Sequence, residues 1–390
     1  MSSTPGQGSS GLPSPDKQAR EHAARVHQHI CRRIEEDGGW ISFSTFMDLA
    51  LYEPGLGYYA AGARKFGSAG DFVTAPEMTP LFGQALARQV AQILQLTGGE
   101  ILELGAGTGA LAVDMLDELD RLGVAPARYR ILEPSPELAE RQRRRAQELP
   151  AAMRALVDWT DSLPQQFTGV VVANEVLDAM PVQVVRWRDE GLFERGVAVR
   201  DGALVWDERP ADAAMRAACG GLPVVAPYVS EIAPAACHLV TDLCRRVDRG
   251  ALLLIDYGFP RAEYYHPQRS SGTLMCHYRH HVHGDPFFQP GLQDITAHVD
   301  FTAVAEAGVD AGCQLAGYTS QAQFLLNCGM TELLARTPAE DTAAYLPQSV
   351  SVQKLLSPAE MGELFKALSL SRGIDVPLLG FGTGDRSASL

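Results

Sequence analysis

From Glu103 to Gly109 the chain reads Glu-Leu-Gly-Ala-Gly-Thr-Gly, directly after an apolar run at residues 101–104 and directly before a helical pattern. Glycines at such a point let the backbone turn tightly and let a ligand come against it, while the free N–H groups of the helix start face that ligand. In an open α/β sheet the crevice beyond a strand's carboxyl end is where ligands bind. The loop, through Gly105, Ala106, Gly107 and Gly109, is therefore expected to hold a nucleotide-like cofactor. Gly105, Gly107 and Ala110 also satisfy the looser dinucleotide pattern G-x-G-x-x-A. Glu133 stands at the end of the second apolar run, 24 residues beyond Gly109. A carboxylate there can accept from both ribose hydroxyls of an adenosine, in NAD or in S-adenosyl-L-methionine alike. Glu103 tips the balance: an acid beside the glycines repels a pyrophosphate and suits a sulfonium and an ammonium. Methyl transfer is expected ahead of hydride transfer, with an NAD-dependent oxidoreductase as the less favoured alternative.

The elements that must position these residues follow from the hydrophobic pattern. Strand-length apolar runs recur at residues 101–104, 129–132, 155–159, 170–173 and 251–255, with helical stretches between the early members. Such runs separated by helices predict a parallel sheet covered on both faces, an α/β fold. Between the fourth and fifth runs, residues 182–187, 192–199 and 204–206 alternate like an antiparallel insertion, with turns at Asp189-Glu190-Gly191 and Asp201-Gly202. Ahead of the sheet, helices are expected at 17–37, at 43–51 after Ser42 as cap, and at 81–96, with a Gly- and aromatic-rich loop at 55–80. The C-terminal part ends with candidate strands at 314–318 and 376–381, separated by helical segments around 321–326 and 358–368. The expected organisation is a disordered leader (1–16), an N-terminal helical segment with a lid loop (17–96), a first part of the cofactor-binding core (97–181), an insertion subdomain (182–248) and a C-terminal part of the core (249–390).

Composition narrows the class. At 390 residues, with 46% hydrophobic and 21% charged, the chain can bury a large core without metal or disulfides. Against 47 Asp and Glu stand 33 Lys and Arg, a formal charge of −14, which argues against a nucleic-acid partner. Seven cysteines are scattered without a C-x-x-C pair, as in a reduced intracellular protein. No apolar run approaches the roughly 18 residues of a membrane span. The first fifteen residues, rich in Ser, Gly and Pro and without arginine, resemble neither a secretory signal nor a transit peptide, so a cytoplasmic location is expected. Cys276, His277, His280, His281 and His283 lack the spacing of a metal site, so no metal is expected. Arg141 and Arg143-Arg144-Arg145 follow Glu137 and Glu140 at helical spacing, which predicts a solvated, ion-paired helix face.

The segment Glu103 to Gly109 resembles motif I of the class I S-adenosyl-L-methionine-dependent methyltransferases. Three further segments are similar to one family within that class. They are Gly57-Tyr58-Tyr59 leading to Gly70-Asp71-Phe72-Val73-Thr74-Ala75-Pro76-Glu77, then Asn174-Glu175-Val176-Leu177-Asp178-Ala179-Met180-Pro181, and Pro290-Gly291-Leu292-Gln293-Asp294-Ile295-Thr296-Ala297-His298-Val299-Asp300-Phe301. Together they resemble the MidA-like methyltransferases, whose mitochondrial members methylate an arginine on a core subunit of respiratory complex I. The resemblance runs from about Ile41 to the C-terminus. It implies a Rossmann-like, seven-stranded sheet whose last two strands form a hairpin, S-adenosyl-L-methionine as cofactor, and a protein substrate bearing arginine, such as a complex I subunit. A homodimer is compatible with it.

The resemblance also implies roles. Trp159 and Asp161 would lie beside adenine, helped by backbone groups of Ser162 and Leu163, unless they are a core tryptophan and a solvated acid. Asn174 would meet the cofactor where the methyl group is passed on. Glu175 and Asp178, spaced i to i+3, would hold a guanidinium from one side of a helical turn and take its proton, or else cap a helix. Asp71 would cover the cofactor from a lid at 58–77, with Glu77 facing the methyl group or the acceptor. Asp256, His298 and Asp300 would line the acceptor pocket, though a loop anchor or a helix cap suits the acids equally. An S-adenosyl-L-methionine-binding scaffold without catalysis is the alternative of a different class.

Overall fold

The near-continuous apolar runs assemble as strands buried on both faces. The computed structural model describes residues 12–61 and 74–390. The chain divides into two units, one formed by Val73–Asp178, Ala236–Arg261 and Val299–Leu390, the other by Met1–Phe72, Ala179–Ala235 and Ala262–His298.

The first unit is built on β1 (Glu100–Leu104), β2 (Tyr129–Leu132), β3 (Val157–Thr160), β4 (Phe167–Asn174), β5 (Val247–Phe259), β6 (Gln314–Ser320) and β7 (Phe365–Arg372). Their spatial order is β3-β2-β1-β4-β5-β7-β6. The first five are parallel, β7 runs antiparallel to β5, and β6 runs antiparallel to β7. The strand order reverses at β1 and β4, whose carboxyl ends lie side by side with Leu104 opposite Ala173. This is the switch point at which open α/β sheets hold their ligands. Ile101, Val170, Val172, Leu253 and Ile255 share one core with the helices Pro80–Thr97 and Ala110–Arg121. The alternate residues Leu102, Val171, Leu252 and Leu254 are buried as well, so both faces are covered. The expected α/β class and central parallel sheet are thus observed.

In the second unit the helices Lys17–Glu36 and Phe43–Tyr52 are capped by Asp16 and Ser42, whose side chains accept from Ala19 and Thr45 N–H groups. The buried stripe Val26, Ile30 and Ile34 joins Phe43, Phe46, Val184 and Val197 in one core. The insertion is an antiparallel sheet in which Gly191–Arg200 pairs with both Gln183–Arg188 and Ala203–Pro210. Tyr228–Ile232 adds a strand to it that alternation did not reveal.

The C-terminal expectation needs correction. The last strand is Phe365–Arg372, whose first four residues fall in the segment expected to be helical, while residues 376–381 end in a 3₁₀ turn at Leu379–Phe381. The helix of this region is Thr342–Leu356. Phe365, Leu368 and Met361 mimic helical spacing, but β7 sits between two strands and buries Lys366, Ser369 and Ser371 along with its apolar residues. Pro377 removes a ladder donor from the 376–381 run, which its apolar pattern suggested as a strand.

Candidate active site

The glycine loop between β1 and the helix Ala110–Arg121 owes its shape to three left-handed residues, Gly105, Gly107 and Gly109, at φ 62°, 53° and 83°. A methyl group built on Gly107 would meet nothing within 4 Å, so the loop is open on that side. One built on Gly109 would lie 3.3 Å from the Gln142 Cα, which shows how closely the helix Pro136–Arg145 packs on the loop. Ala106 is buried, and its carbonyl accepts from the Gly109 N–H at 2.7 Å.

Glu133, just past β2, accepts from the Ser135 N–H at 2.9 Å and from the Gln142 amide at 2.9 Å. Burial raises its pKa, and these two donors oppose the rise. Trp159 at the end of β3 donates its indole N–H to Gln142 at 2.9 Å, and the Arg143 guanidinium lies 5.0 Å over its ring. Asp161 and Ser162 are exposed and Leu163 is half-buried. The Thr160 hydroxyl donates to the Ser162 carbonyl and accepts from its N–H.

Glu103, at the end of β1, is buried. It is 2% exposed, and its carboxylate accepts from the buried Tyr129 hydroxyl at 2.7 Å. Burial pushes its pKa up to about 7. It is therefore held inside the fold against Tyr129. Glu77 is also engaged: it accepts from the Thr108 hydroxyl and pairs with Arg145 at 3.3 Å, while Arg145 donates to the Thr108 oxygen at 3.1 Å. The short helix Ala75–Met78 is thereby fastened to the glycine loop. Nearby Asp114 is pushed up to about 7 by burial, against the pull of Arg145.

At the carboxyl end of β4 the Asn174 amide donates to Glu175 at 2.9 Å. The Asn174 Oδ1 is buried with no hydrogen-bond partner among the described residues. Glu175 has a left-handed backbone, φ 53°, in a non-glycine residue, and its N–H donates to the Ile255 carbonyl at 2.9 Å. Strain of this kind costs on the order of 1–3 kcal/mol and persists where surroundings over-determine it. The surroundings are Asp256. One of its oxygens accepts from the N–H groups of Val176, Leu177 and Asp178 at 3.2, 2.9 and 3.2 Å, and the other from Tyr257 at 2.9 Å. Asp256 is thus a loop anchor, 1% exposed, and not a pocket wall. Burial and the neighbouring Asp178 and Glu175 carboxylates push its pKa well above the ordinary range. The segment it holds is a turn and not a helix, so neither Glu175 nor Asp178 is a helix cap, and the expected helical i to i+3 geometry is absent.

Asp300 caps the helix Phe301–Asp310, accepting from Thr302 and Ala303 N–H groups, and pairs with Arg261 at 3.7 Å. This is the cap alternative and not a contact awaiting an acceptor. His298 belongs to the other unit, where its N–H donates to the Thr273 hydroxyl. There Tyr59 donates to Asp294 at 2.9 Å, and Gly291 at φ 81° leaves room for Val26 and the Leu56 carbonyl. The tyrosine and Pro290 segments of the sequence therefore meet within one unit. Asp71, with Gly70 and Phe72, lies outside the described residues. The histidine-rich stretch is a hairpin, Met275–Tyr278 with His281–His283, whose turn residues Arg279 and His280 both have positive φ.

Sequence reasoning missed Gln142, Thr108 and Arg145. The Arg-rich helix does carry an exposed Glu140–Arg144 pair at 3.2 Å, but Arg145 and Gln142 turn inward to the glycine loop. A signal existed for Gln142: it falls on the apolar stripe one turn after Leu138 and Ala139.

A family model for S-adenosyl-L-methionine-dependent methyltransferases, Methyltransf_28, matches residues 85–319. A crystal structure from Burkholderia thailandensis bound to S-adenosyl-homocysteine is similar with a TM-score of 0.95 at 51% identity, over 97% of this chain and 100% of that one. A native crystal structure from the same organism gives 0.92 at 50%, with the same coverage. The protein arginine methyltransferase NDUFAF7 homolog, mitochondrial, of Drosophila melanogaster is 27% identical over 97% of this chain and 95% of that protein. Its counterpart in Danio rerio is 26% identical, over 88% and 86%. Both names place those relatives in mitochondria, which overturns the cytoplasmic expectation: a leader's composition did not fix the compartment.

Proposed function

The chain belongs to the MidA-like family of S-adenosyl-L-methionine-dependent methyltransferases, and from that premise we propose that it methylates an arginine side chain of a protein. The cofactor fits the residues present. An open glycine turn suits a ligand laid on the backbone, Glu133 suits a ribose, and the orphaned Asn174 oxygen offers an acceptor to an ammonium. When bound, the cofactor supplies a methyl group already activated on a sulfonium.

What the chain itself must do is hold and deprotonate the acceptor. A free guanidinium is fully protonated and nucleophilically weak. Glu175 and Asp178 are proposed to grip it through paired N–H···O bonds, drawing its positive charge away from the attacking nitrogen, and to take the proton that nitrogen sheds. Glu175 and Asp178 bring two acids to the turn that Asp256 anchors, which repels an anion and attracts a cation. The anchoring of the Glu175 turn by Asp256 is the observation that carries this reading: a strained acid held rigidly at the switch point is a preorganised acceptor site. The arginine named for the relatives at 26–27% identity agrees with it.

The test is incubation of the purified protein with methyl-labelled S-adenosyl-L-methionine and a cell extract, followed by mass spectrometry of labelled peptides. Methylarginine in a peptide is the expected result. The variants Glu175→Gln and Asp178→Asn should each lose transfer by about 100-fold or more while retaining S-adenosylhomocysteine affinity. Label on another residue type, or full activity of both variants, would refute the proposal.

A further inference from the structure

The helix Pro136–Arg145 reads in sequence as an ion-paired surface, yet Gln142 on it is 1% exposed. Its side chain is fully committed. The Nε2 group donates to the Gly107 carbonyl at 3.0 Å and to Glu133 at 2.9 Å, and the Oε1 atom accepts from the Trp159 indole at 2.9 Å. Carbonyl and carboxylate only accept and the indole N–H only donates, so a flipped amide would lose all three bonds. The amide orientation is therefore dictated by its partners.

These three partners stand at the ends of three adjacent strands: Gly107 follows β1, Glu133 follows β2, and Trp159 lies in β3. We propose that Gln142 is a positioning residue for the adenosine end of the cofactor, a single amide that fixes the Glu133 carboxylate, the Gly107 peptide and the Trp159 ring together. The inference rests on the reading of Glu133 as the ribose acceptor. A carboxylate free to rotate would lose part of its binding energy to ordering it; one already held by Gln142 and by the Ser135 N–H is preorganised. Gln142 supplies this without occupying the whole carboxylate, since each oxygen retains a further lone-pair site. The closeness of Gly109 to the Gln142 Cα fixes the same helix against the loop from the backbone side.

Calorimetric titration of S-adenosylhomocysteine into wild type, Gln142→Leu, Glu133→Gln and the double variant tests this. Each single variant should bind about tenfold more weakly or worse, because a hydrogen bond to a charged group is lost. The double variant should lose less than the sum of the two single losses, because Gln142 acts in part through Glu133. In the ligand-free protein, Gln142→Leu should also shift tryptophan emission, since Trp159 loses its acceptor. Losses that simply add would mean that Gln142 is only structural, and wild-type affinity in Gln142→Leu would overturn the proposal outright. Unchanged affinity in Glu133→Gln would instead sink the ribose reading on which it rests. Should the leucine variant not fold, Gln142→Glu keeps the volume and the acceptor for Trp159 but sets a like charge beside Glu133, and the same titration decides.

Discussion

Glutamine in place of Glu103 gives a prediction whose size follows from the structure. Glu103 is wholly buried, its pKa stands at about 7 against an ordinary 4.5, and burial is the dominant cause. A carboxyl that holds its proton more tightly when folded contributes stability that is fully present below pH 4.5. That stability is lost as the pH rises through about 7. The difference between about 7 and 4.5 corresponds to about 3.5 kcal/mol, at about 1.4 kcal/mol per pH unit. Glu103→Gln removes the ionisation, keeps an acceptor for the Tyr129 hydroxyl, and buries an amide NH₂ at a cost of about 1 kcal/mol or more. At pH 5 the variant should therefore be slightly less stable than wild type, and at pH 8.5 more stable, the gap moving by about 3 kcal/mol across the range. Urea titrations at a series of pH values measure the gap directly, and Asp114, which titrates in the same range, cancels from the difference. S-adenosylhomocysteine affinity at pH 6 should be retained, because Glu103 is buried against Tyr129 and its amide replacement keeps that contact. Parallel stability curves for the two proteins, or loss of affinity in the variant, would refute the placement of this acid and the reasoning from it.

Three other outcomes are expected. Gly109→Ala should cost about 1–2 kcal/mol of stability from its left-handed backbone and should also weaken S-adenosylhomocysteine binding in calorimetry, because the added methyl meets the Gln142 backbone. Asp300→Ala should lower stability by about 1 kcal/mol through loss of the helix cap, while leaving the acceptor KM unchanged. Arg336→Ala removes two hydrogen bonds from Glu118, whose side chain is 0% exposed, and should cost about 2–4 kcal/mol in urea unfolding, Arg88 and Arg121 being left to share the charge.

What was legible in the sequence was what is local. The glycine loop could be read because left-handed positions select glycine residue by residue, and the parallel strands because burial on both faces leaves an apolar run. Ser42 and Asp16 as caps are equally local, although only the former was read. Strand β7 was not legible: its Ser369 and Ser371 are buried and Lys366 reaches the Glu363 carbonyl, so hydrophobicity could not mark it as interior. The site divides in the same way. Glu133 and Asn174-Glu175 stand at strand ends, which a sequence locates. The role of Asp256, by contrast, depends on N–H groups some eighty positions earlier, and that of Gln142 on a loop 35 positions away. The burial of Glu103 was not legible because its partner Tyr129 belongs to another strand.

Strand β7 has a consequence for how the protein comes into being. It follows every other strand of its sheet in the chain, yet it must slot between β5 and β6, pairing along most of its length with both. Until it arrives, the inner edge of β5, with Leu252 and Leu254, offers unpaired peptide groups to any strand nearby, which is an invitation to aggregate. A chain cut short before Phe365 would thus lose the middle of its sheet and not its tail. Translation pauses or nonsense mutations that stop the chain before Phe365 should therefore be as damaging as those near the start of the sheet.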